Sequence, residues 1–324
     1  VSDERPILVT GGAGYIGSVL VPMLLEEGRR VRVLDRFLHG GHGLEALRGE
    51  RSLEVLTRDL RDPRVHDEAI EGVDTVIHLA AIVGDKACAQ NEEVAVQTNW
   101  TSTVAFARRA AAAGVRRFVF ASTCSVYGEG RDEILTEESP VRPLSLYAET
   151  RRHAEEGLLE LVGAKDFEPV LLRFGTVYGL SPRMRFDLVV NLLTLHAVQR
   201  GKVSIFGGKQ WRPFVHVRDI ARALQMAMTE PAPDGSPILN VGDNMENYQL
   251  LDLREELEAR VPGVRIEVVP EASDPRTYRV SFDRIERLWG FRASKRVGDG
   301  IEEIARALRA GSIPDPGNRR YVNA

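Results

Sequence analysis

Three glycines at three-residue intervals, Gly11, Gly14 and Gly17, follow directly on the apolar run Ile7-Leu8-Val9-Thr10. The run reads as a buried strand, and Ile16, Val19, Leu20, Met23 and Leu24 then recur with the period of one helix face. A strand turning through glycines into a helix can hold a diphosphate. The turn needs residues without a Cβ, the backbone must approach the anion closely, and the helix's first amides point at it. The next strand, Val31-Arg32-Val33-Leu34, ends in Asp35. That carboxylate falls about 20 residues on, where it can accept hydrogen bonds from adenosine ribose hydroxyls. Glycine-rich turns alone are common. Strand, glycines, helix, second strand and acid in this order point to a dinucleotide.

These residues need a frame, and strand and helix signals alternate through the first half of the chain. Leu53-Glu54-Val55-Leu56 and Thr75-Val76-Ile77-His78-Leu79 read as strands, with Pro63 suited to the first turn of the helix between them. A long helix over about Glu92 to Ala113 precedes the strand Arg117-Phe118-Val119-Phe120-Ala121, and a helix over Leu144 to Val162 precedes the strand Pro169 to Arg173. Near-continuous apolar strands in this rhythm predict an α/β fold, a doubly wound parallel (Rossmann) sheet covered on both faces. After Gly179 the rhythm loosens, with a helix predicted over Arg183 to Arg200, short strands, two late helices and a polar tail. The expected division is a dinucleotide domain over 1–175 and a smaller C-terminal α/β domain over 176–324, with a segment near 212–235 returning to the first.

At 324 residues the chain can bury a large core, and its net charge of −4 argues against nucleic acid or an anionic membrane as the main partner. No apolar run reaches the length of a membrane span, and the charged start, Val1-Ser2-Asp3-Glu4-Arg5, does not read as a signal peptide. Cys88 and Cys124 offer neither a disulfide framework nor a metal-ligand cluster, so a reduced, cytoplasmic, metal-free protein is expected. The basic residues are mostly arginine; Lys86, Lys165, Lys202, Lys209 and Lys295 are the lysines.

Over nearly its whole length the sequence resembles the extended short-chain dehydrogenase/reductases, specifically the NAD-dependent nucleotide-sugar epimerases and dehydratases. Thr10 to Gly17 is similar to that family's cofactor loop, Asp59-Leu60 to its adenine-side contact and His78-Leu79-Ala80-Ala81 to the strand end beneath the cofactor. Thr98-Asn99 resembles the pair opening the next long helix. Ser122-Thr123-Cys124-Ser125-Val126-Tyr127-Gly128 resembles the active-site strand end, Tyr147 and Arg151 the Tyr-x-x-x-Lys motif, and Arg173 to Gly179 the Leu-Arg…Asn-Val-Tyr-Gly stretch. Trp211 to Asp219 is similar to the segment whose arginine grips a nucleotide diphosphate. The resemblance implies NAD as cofactor, held by Gly11, Gly14, Tyr15, Ile16, Gly17, Asp35, Arg36, Asp59, Leu60, Leu79, Ala80, Ala81, Asn99, Tyr147 and Arg151. It implies a nucleotide-diphosphate sugar against Val83, Thr123, Thr176, Asn191, Arg212 and Arg276, and a homodimer.

The chemistry this implies is hydride transfer at a sugar carbon, C4 above all, with Tyr147 taking the hydroxyl proton. A phenol titrates at about 10, and bringing it to neutral pH costs about 4 kcal/mol, so a neighbouring cation is needed. A basic residue four positions on lies on the tyrosine's face of the helix. Thr123 can hydrogen-bond the same oxygen. Arg151 departs from the motif: it stays protonated and offers a planar fork, but cannot relay a proton as lysine can. Cys124 and Ser125 stand where the family's dehydratases carry Asp-Glu, and Ser125 where its decarboxylases carry glutamate, so elimination of water has no evident acid or base. Cys124 is one place away from the cysteine that some epimerases use, and His78 and His216 read as structural. Three functions remain open: an epimerase that turns over a ketosugar intermediate, a reductase of a preformed ketosugar, and a dinucleotide-binding regulator without catalysis.

Overall fold

The computed structural model describes residues 5–164, 166–232, 236–270 and 276–323. Residues 1–4 of the charged start, Lys165 and positions 233–235 of the expected returning segment lie outside them. The apolar strands predicted before Gly179, with one more from later in the chain, form one parallel sheet of seven. In spatial order these are Ile238–Val241, Glu168–Phe174, Arg117–Thr123, Thr75–His78, Ile7–Thr10, Val31–Asp35 and Leu53–Thr57. Successive side chains of a strand point to opposite faces. Ile7 and Val9 therefore pack with Leu20, Leu24, Ile220 and Leu224 on one side. Leu8 packs with Val65, Phe106, Ala154 and Leu158 on the other. The chain reverses its direction of progress across the sheet between Ile7–Thr10 and Thr75–His78, which pair residue for residue. Ligands of such sheets bind outside the strand ends at that point.

The later part forms a smaller unit over these strand ends. Thr176–Tyr178, Trp211–His216 and Asn247–Gln249 make a three-stranded sheet, and Lys202–Phe206 pairs in parallel with Arg265–Val269. Helices Val189–Arg200, Leu253–Arg260 and Val297–Arg309 close a separate core around Tyr178, Phe214, Leu257 and Ile301.

Three elements differ from the sequence reading. The returning segment is longer than expected: helix Val217–Thr229 packs on Gly17–Glu26, and strand Ile238–Val241 then completes the edge of the large sheet. The predicted helix Glu92–Ala113 is interrupted by a π-helical turn over Gln97–Thr101, which re-aims its side chains. The predicted helix from Arg183 starts only at Val189, leaving 181–188 as a loop. No helix among the described residues is long and apolar enough to cross a membrane.

Candidate active site

A cavity of about 960 Å³ opens where the large sheet's strand ends meet the smaller unit. Its floor begins with the glycine turn. Gly11 adopts φ +71°, a conformation L side chains rarely adopt, and a Cβ there would stand 2.7 Å from Ala80 N. At Gly17 a Cβ would stand 2.5 Å from Gly12 Cα, so helix and turn can touch only without one. Gly14, Tyr15 and Ile16 line the same wall, with Leu79, Ala80 and Ala81 across from the turn.

Asp35 lies beside this turn and accepts hydrogen bonds from Ala13 N at 3.0 Å and Phe37 N at 2.7 Å. Burial pushes its carboxyl up and these two amides draw it back. Each carboxylate oxygen keeps a lone pair for a ribose hydroxyl. A 2′-phosphate would instead meet that negative charge. NADH is therefore expected to bind more tightly than NADPH, by about tenfold or more, in a fluorescence titration of each. Arg36, which could have welcomed the phosphate, is drawn to Asp59 at 3.5 Å. Arg36, Asp59 and Leu60 all line the cavity.

Thr123, Tyr147 and Arg151 line it together. Thr123 ends the strand Arg117–Thr123, and its Oγ1 lies 2.9 Å from Ser125 Oγ. Tyr147 and Arg151 share one face of helix Leu146–Leu159, capped by Ser145, whose side chain accepts from Ala148 N. Burial pushes the Tyr147 phenol up, and the positive charges of Arg151 and Arg185 pull it back down. Arg151 is 1% exposed, donates from Nη2 to Ala121 O, and lies over the Phe120 ring at 4.3 Å. Its Nε and Nη1 are buried without a hydrogen-bond partner among the described residues. Leaving such donors unpaired is costly, and a ligand with hydroxyl acceptors, such as the ribose of a dinucleotide, relieves it. The residues present thus fit NAD.

Arg212 and Arg276 bring two guanidinium groups to the same cavity. Arg212 donates from Nη1 to Trp211 O at 2.8 Å and to Arg276 O, and lies over Tyr278 at 5.5 Å. Arg276 is ion-paired with Asp85 at 2.9 Å. Val83 and Thr176 complete this part of the lining.

Two expected ligand contacts stand outside the cavity lining. Asn99 stands behind the wall, buried: its Oδ1 accepts from Ile82 N at 2.8 Å, and Nδ2 donates to Ile82 O at 2.9 Å and Thr150 Oγ1 at 3.3 Å. Asn191 is also buried; it accepts from Gly179 N at 3.0 Å and donates to Arg185 O at 2.9 Å and Tyr15 OH at 3.1 Å. Both amides are spent on holding cavity loops in place. The histidines are likewise committed. His78 bridges Thr10 Oγ1 at 2.9 Å and Thr103 Oγ1 at 3.0 Å, with burial pulling it down to about 3. His216 Nε2 meets Glu303 at 2.7 Å. Cys124 is buried, its thiol pushed up by burial and donating to Arg173 O at 3.3 Å.

The sequence reading missed Arg183, Arg185 and the pair Val322-Asn323, all in the lining. The two arginines alternate in a loop for which the sequence predicts a helix, and Asn323 lies in the polar tail. The doublet of cations in Arg183-Met184-Arg185 was the signal available.

Residues 7–242 match the NAD dependent epimerase/dehydratase family. The chain is similar to the UDP-glucose 4-epimerase of Halalkalibacterium halodurans, at 30% identity over 88% of this chain and 90% of the other. It is also similar to UDP-glucuronic acid decarboxylase 1 of Danio rerio, at 27% identity over 99% of this chain and 76% of the other. Among solved structures, MoeE5 in complex with UDP-glucuronic acid and NAD superposes with a TM-score of 0.80 at 31% identity, covering 94% of this chain and 99% of the other. With the glycine turn, the Tyr147–Arg151 pair and the cleft between two units already in view, the chain belongs to the NAD dependent epimerase/dehydratase family, and is an NAD-dependent enzyme of the extended short-chain dehydrogenase/reductase type.

Proposed function

We propose that the protein is a nucleotide-sugar epimerase that inverts C4 through a ketosugar. The observation carrying this reading is that one cavity is lined by the glycine turn, by Tyr147, Thr123 and Arg151, and by Arg212 and Arg276. That set combines a cofactor cradle, a proton acceptor and two cations suited to a diphosphate. NAD, when bound, supplies the hydride acceptor and donor. Tyr147, as phenolate, takes the proton of the C4 hydroxyl and returns it once the keto carbon has presented its other face. Thr123 Oγ1 hydrogen-bonds the same sugar oxygen in both directions. Arg151 favours the phenolate by its charge and holds the cofactor's ribose by its unpartnered N–H groups. UDP-sugars, the ligands of MoeE5 in its solved structures, carry over as the substrate class.

The relatives include a decarboxylase as well as an epimerase, and the strand end favours the latter. Ser125 donates no acid–base carboxyl here; its hydroxyl is paired with Thr123. The carboxylates of the described cavity lining are otherwise engaged: Asp59 with Arg61, Asp85 with Arg276 and Asp187 with Arg185, while Asp35 sits at the glycine turn. Incubation with a panel of UDP-hexoses, without added NAD, is expected to yield C4 epimers of unchanged mass. A product lighter by one water would overturn this assignment.

Arg212 offers a test of the substrate class. Arg212→Ala is expected to weaken UDP-sugar binding by about 2–5 kcal/mol, as when one partner of a buried charge pair is removed, while NADH affinity stays as in the wild type. Calorimetry with UDP and NADH on the same folded variant reads both.

A further inference from the structure

Arg183 is a buried cation with no carboxylate in direct contact among the described residues. It is 1% exposed and lines the cavity. Its Nε has no hydrogen-bond partner and no carboxylate lies within ion-pair distance of it among the described residues; Nη2 donates to Asn323 Oδ1 at 2.7 Å. Burial pulls its guanidinium down to about 10, with neighbouring Arg185 acting in the same direction and Asp187 and Asp35, both beyond ion-pair distance, opposing it. A guanidinium held dry without an anion is costly, which points to an anionic ligand that completes it.

Its position says which anion. The loop bearing Arg183 is docked on the glycine turn and the helix after it. Arg183 N donates to Ser18 Oγ at 3.3 Å, Ser181 Oγ donates to Tyr15 O at 2.8 Å, and Tyr15 OH donates to Gly179 O at 2.6 Å. A Cβ built on Gly43 would meet Ala13 O at 2.7 Å and Arg183 Cβ at 3.2 Å, so the arginine stem and the glycine turn are next to each other. The first turn of helix Gly17–Glu26 is where a dinucleotide's diphosphate meets backbone amides.

A strap holds Arg183 there. Asn318–Asn323 brings Val322 and Asn323 into the cavity lining and docks on the Arg183 loop: Phe186 N donates to Tyr321 O at 2.8 Å, and the Tyr321 ring stands edge-on to Phe186 at 5.8 Å and His42 at 5.9 Å. Asn323 then ties the two sides together, accepting from Arg183 and donating to Val83 O at 3.1 Å. Val83 lies two residues beyond the Ala80-Ala81 wall of the cavity.

We propose that Arg183 binds the diphosphate of NAD and that Asn323, as a positioning residue, fixes it there, so that the strap retains the cofactor between turnovers. This rests on NAD as the cofactor and deepens the epimerase reading, because an enzyme that takes its hydride back has no need to exchange NAD. The test measures binding alone, in the absence of any sugar, on the full chain. NADH affinity and release rate are read by fluorescence and stopped-flow displacement for the wild type, Arg183→Met, Arg183→Lys, Asn323→Ala and the Arg183→Met/Asn323→Ala double variant. Arg183→Met is expected to weaken NADH by about tenfold or more, with partial rescue by lysine. Asn323→Ala is expected to speed NADH release severalfold, and to add nothing in the Arg183→Met background. UDP binding should be unchanged. NADH affinity and release within twofold of wild type in Asn323→Ala and in any folded Arg183 variant would overturn the proposal. So would a loss confined to UDP, or one confined to NADPH, which would place the arginine at a substrate phosphate or a 2′-phosphate. Should Arg183→Met not fold, Asn323→Ala decides. A protein that holds NADH through Arg183 yet turns over no sugar would uphold the strap and remove the epimerase.

Discussion

Tyr147→Phe is expected to lower turnover by about 10²–10⁴-fold, the scale of a lost general acid–base group, with little change in NADH affinity. Arg151→Met should lose a comparable factor for a different reason. Burial above all holds the Tyr147 phenol above its ordinary range, and the Arg151 charge is the largest influence opposing that. Without it the phenolate forms only at higher pH. Activity depends on phenolate, so the acidic limb of the pH–rate profile should move to higher pH in Arg151→Met. Arg151→Lys keeps the charge and should keep most of the activity, although it loses the flat stack on Phe120. Steady-state kinetics across pH on the three variants checks all of this. Undiminished turnover in Arg151→Met would send the search for the base elsewhere in the cavity.

Arg173→Met should be the most destabilising of the polar substitutions, by about 3–5 kcal/mol in urea unfolding, because it strands a buried carboxylate. Arg173 forks onto Glu155 at 2.9 and 2.6 Å, and Glu155 accepts from Ser122 Oγ at 2.5 Å. Arg173 Nη1 donates to Tyr127 OH at 3.1 Å, which donates to Asn240 Oδ1 at 2.7 Å. The ion pair is nearly dry, with 4% and 3% of the two side chains exposed. Glu155, held by Arg173, also takes the Ser122 hydroxyl and so ties the strand end carrying Thr123 to the helix carrying Tyr147 and Arg151, and the same variant should also lose turnover. Replacing both charges, as Arg173→Met/Glu155→Leu, should recover part of the stability, since no lone charge is then left inside.

Much of this was readable in the chain. The glycine turn, Asp35 and six of the seven strands follow from local pattern: a short apolar or β-branched run favours a strand, and a glycine spacing is a backbone requirement. The Tyr147–Arg151 pair needs only a helix to put both on one face. What escaped the sequence depends on contacts distant along the chain. Ile238–Val241 looks like any short strand until Glu168–Phe174 is beside it. Asn99 and Asn191 have the composition of ligand contacts, but their amides are taken up by Ile82 and by Gly179, Arg185 and Tyr15. The π turn at Gln97–Thr101 has no periodic signature. Arg183 is in a loop whose role is set by Ser18, 165 residues away, and by Asn323, 140 residues away.

The central claim, inversion at C4 through a ketosugar, is tested most directly with a UDP-hexose carrying deuterium at C4, incubated with the purified protein in ordinary water. The expected result is the C4 epimer with deuterium still at C4, formed by the wild type and not by Tyr147→Phe. Formation of the epimer with deuterium washed out to solvent, or no C4 epimer from any UDP-sugar offered, would contradict it.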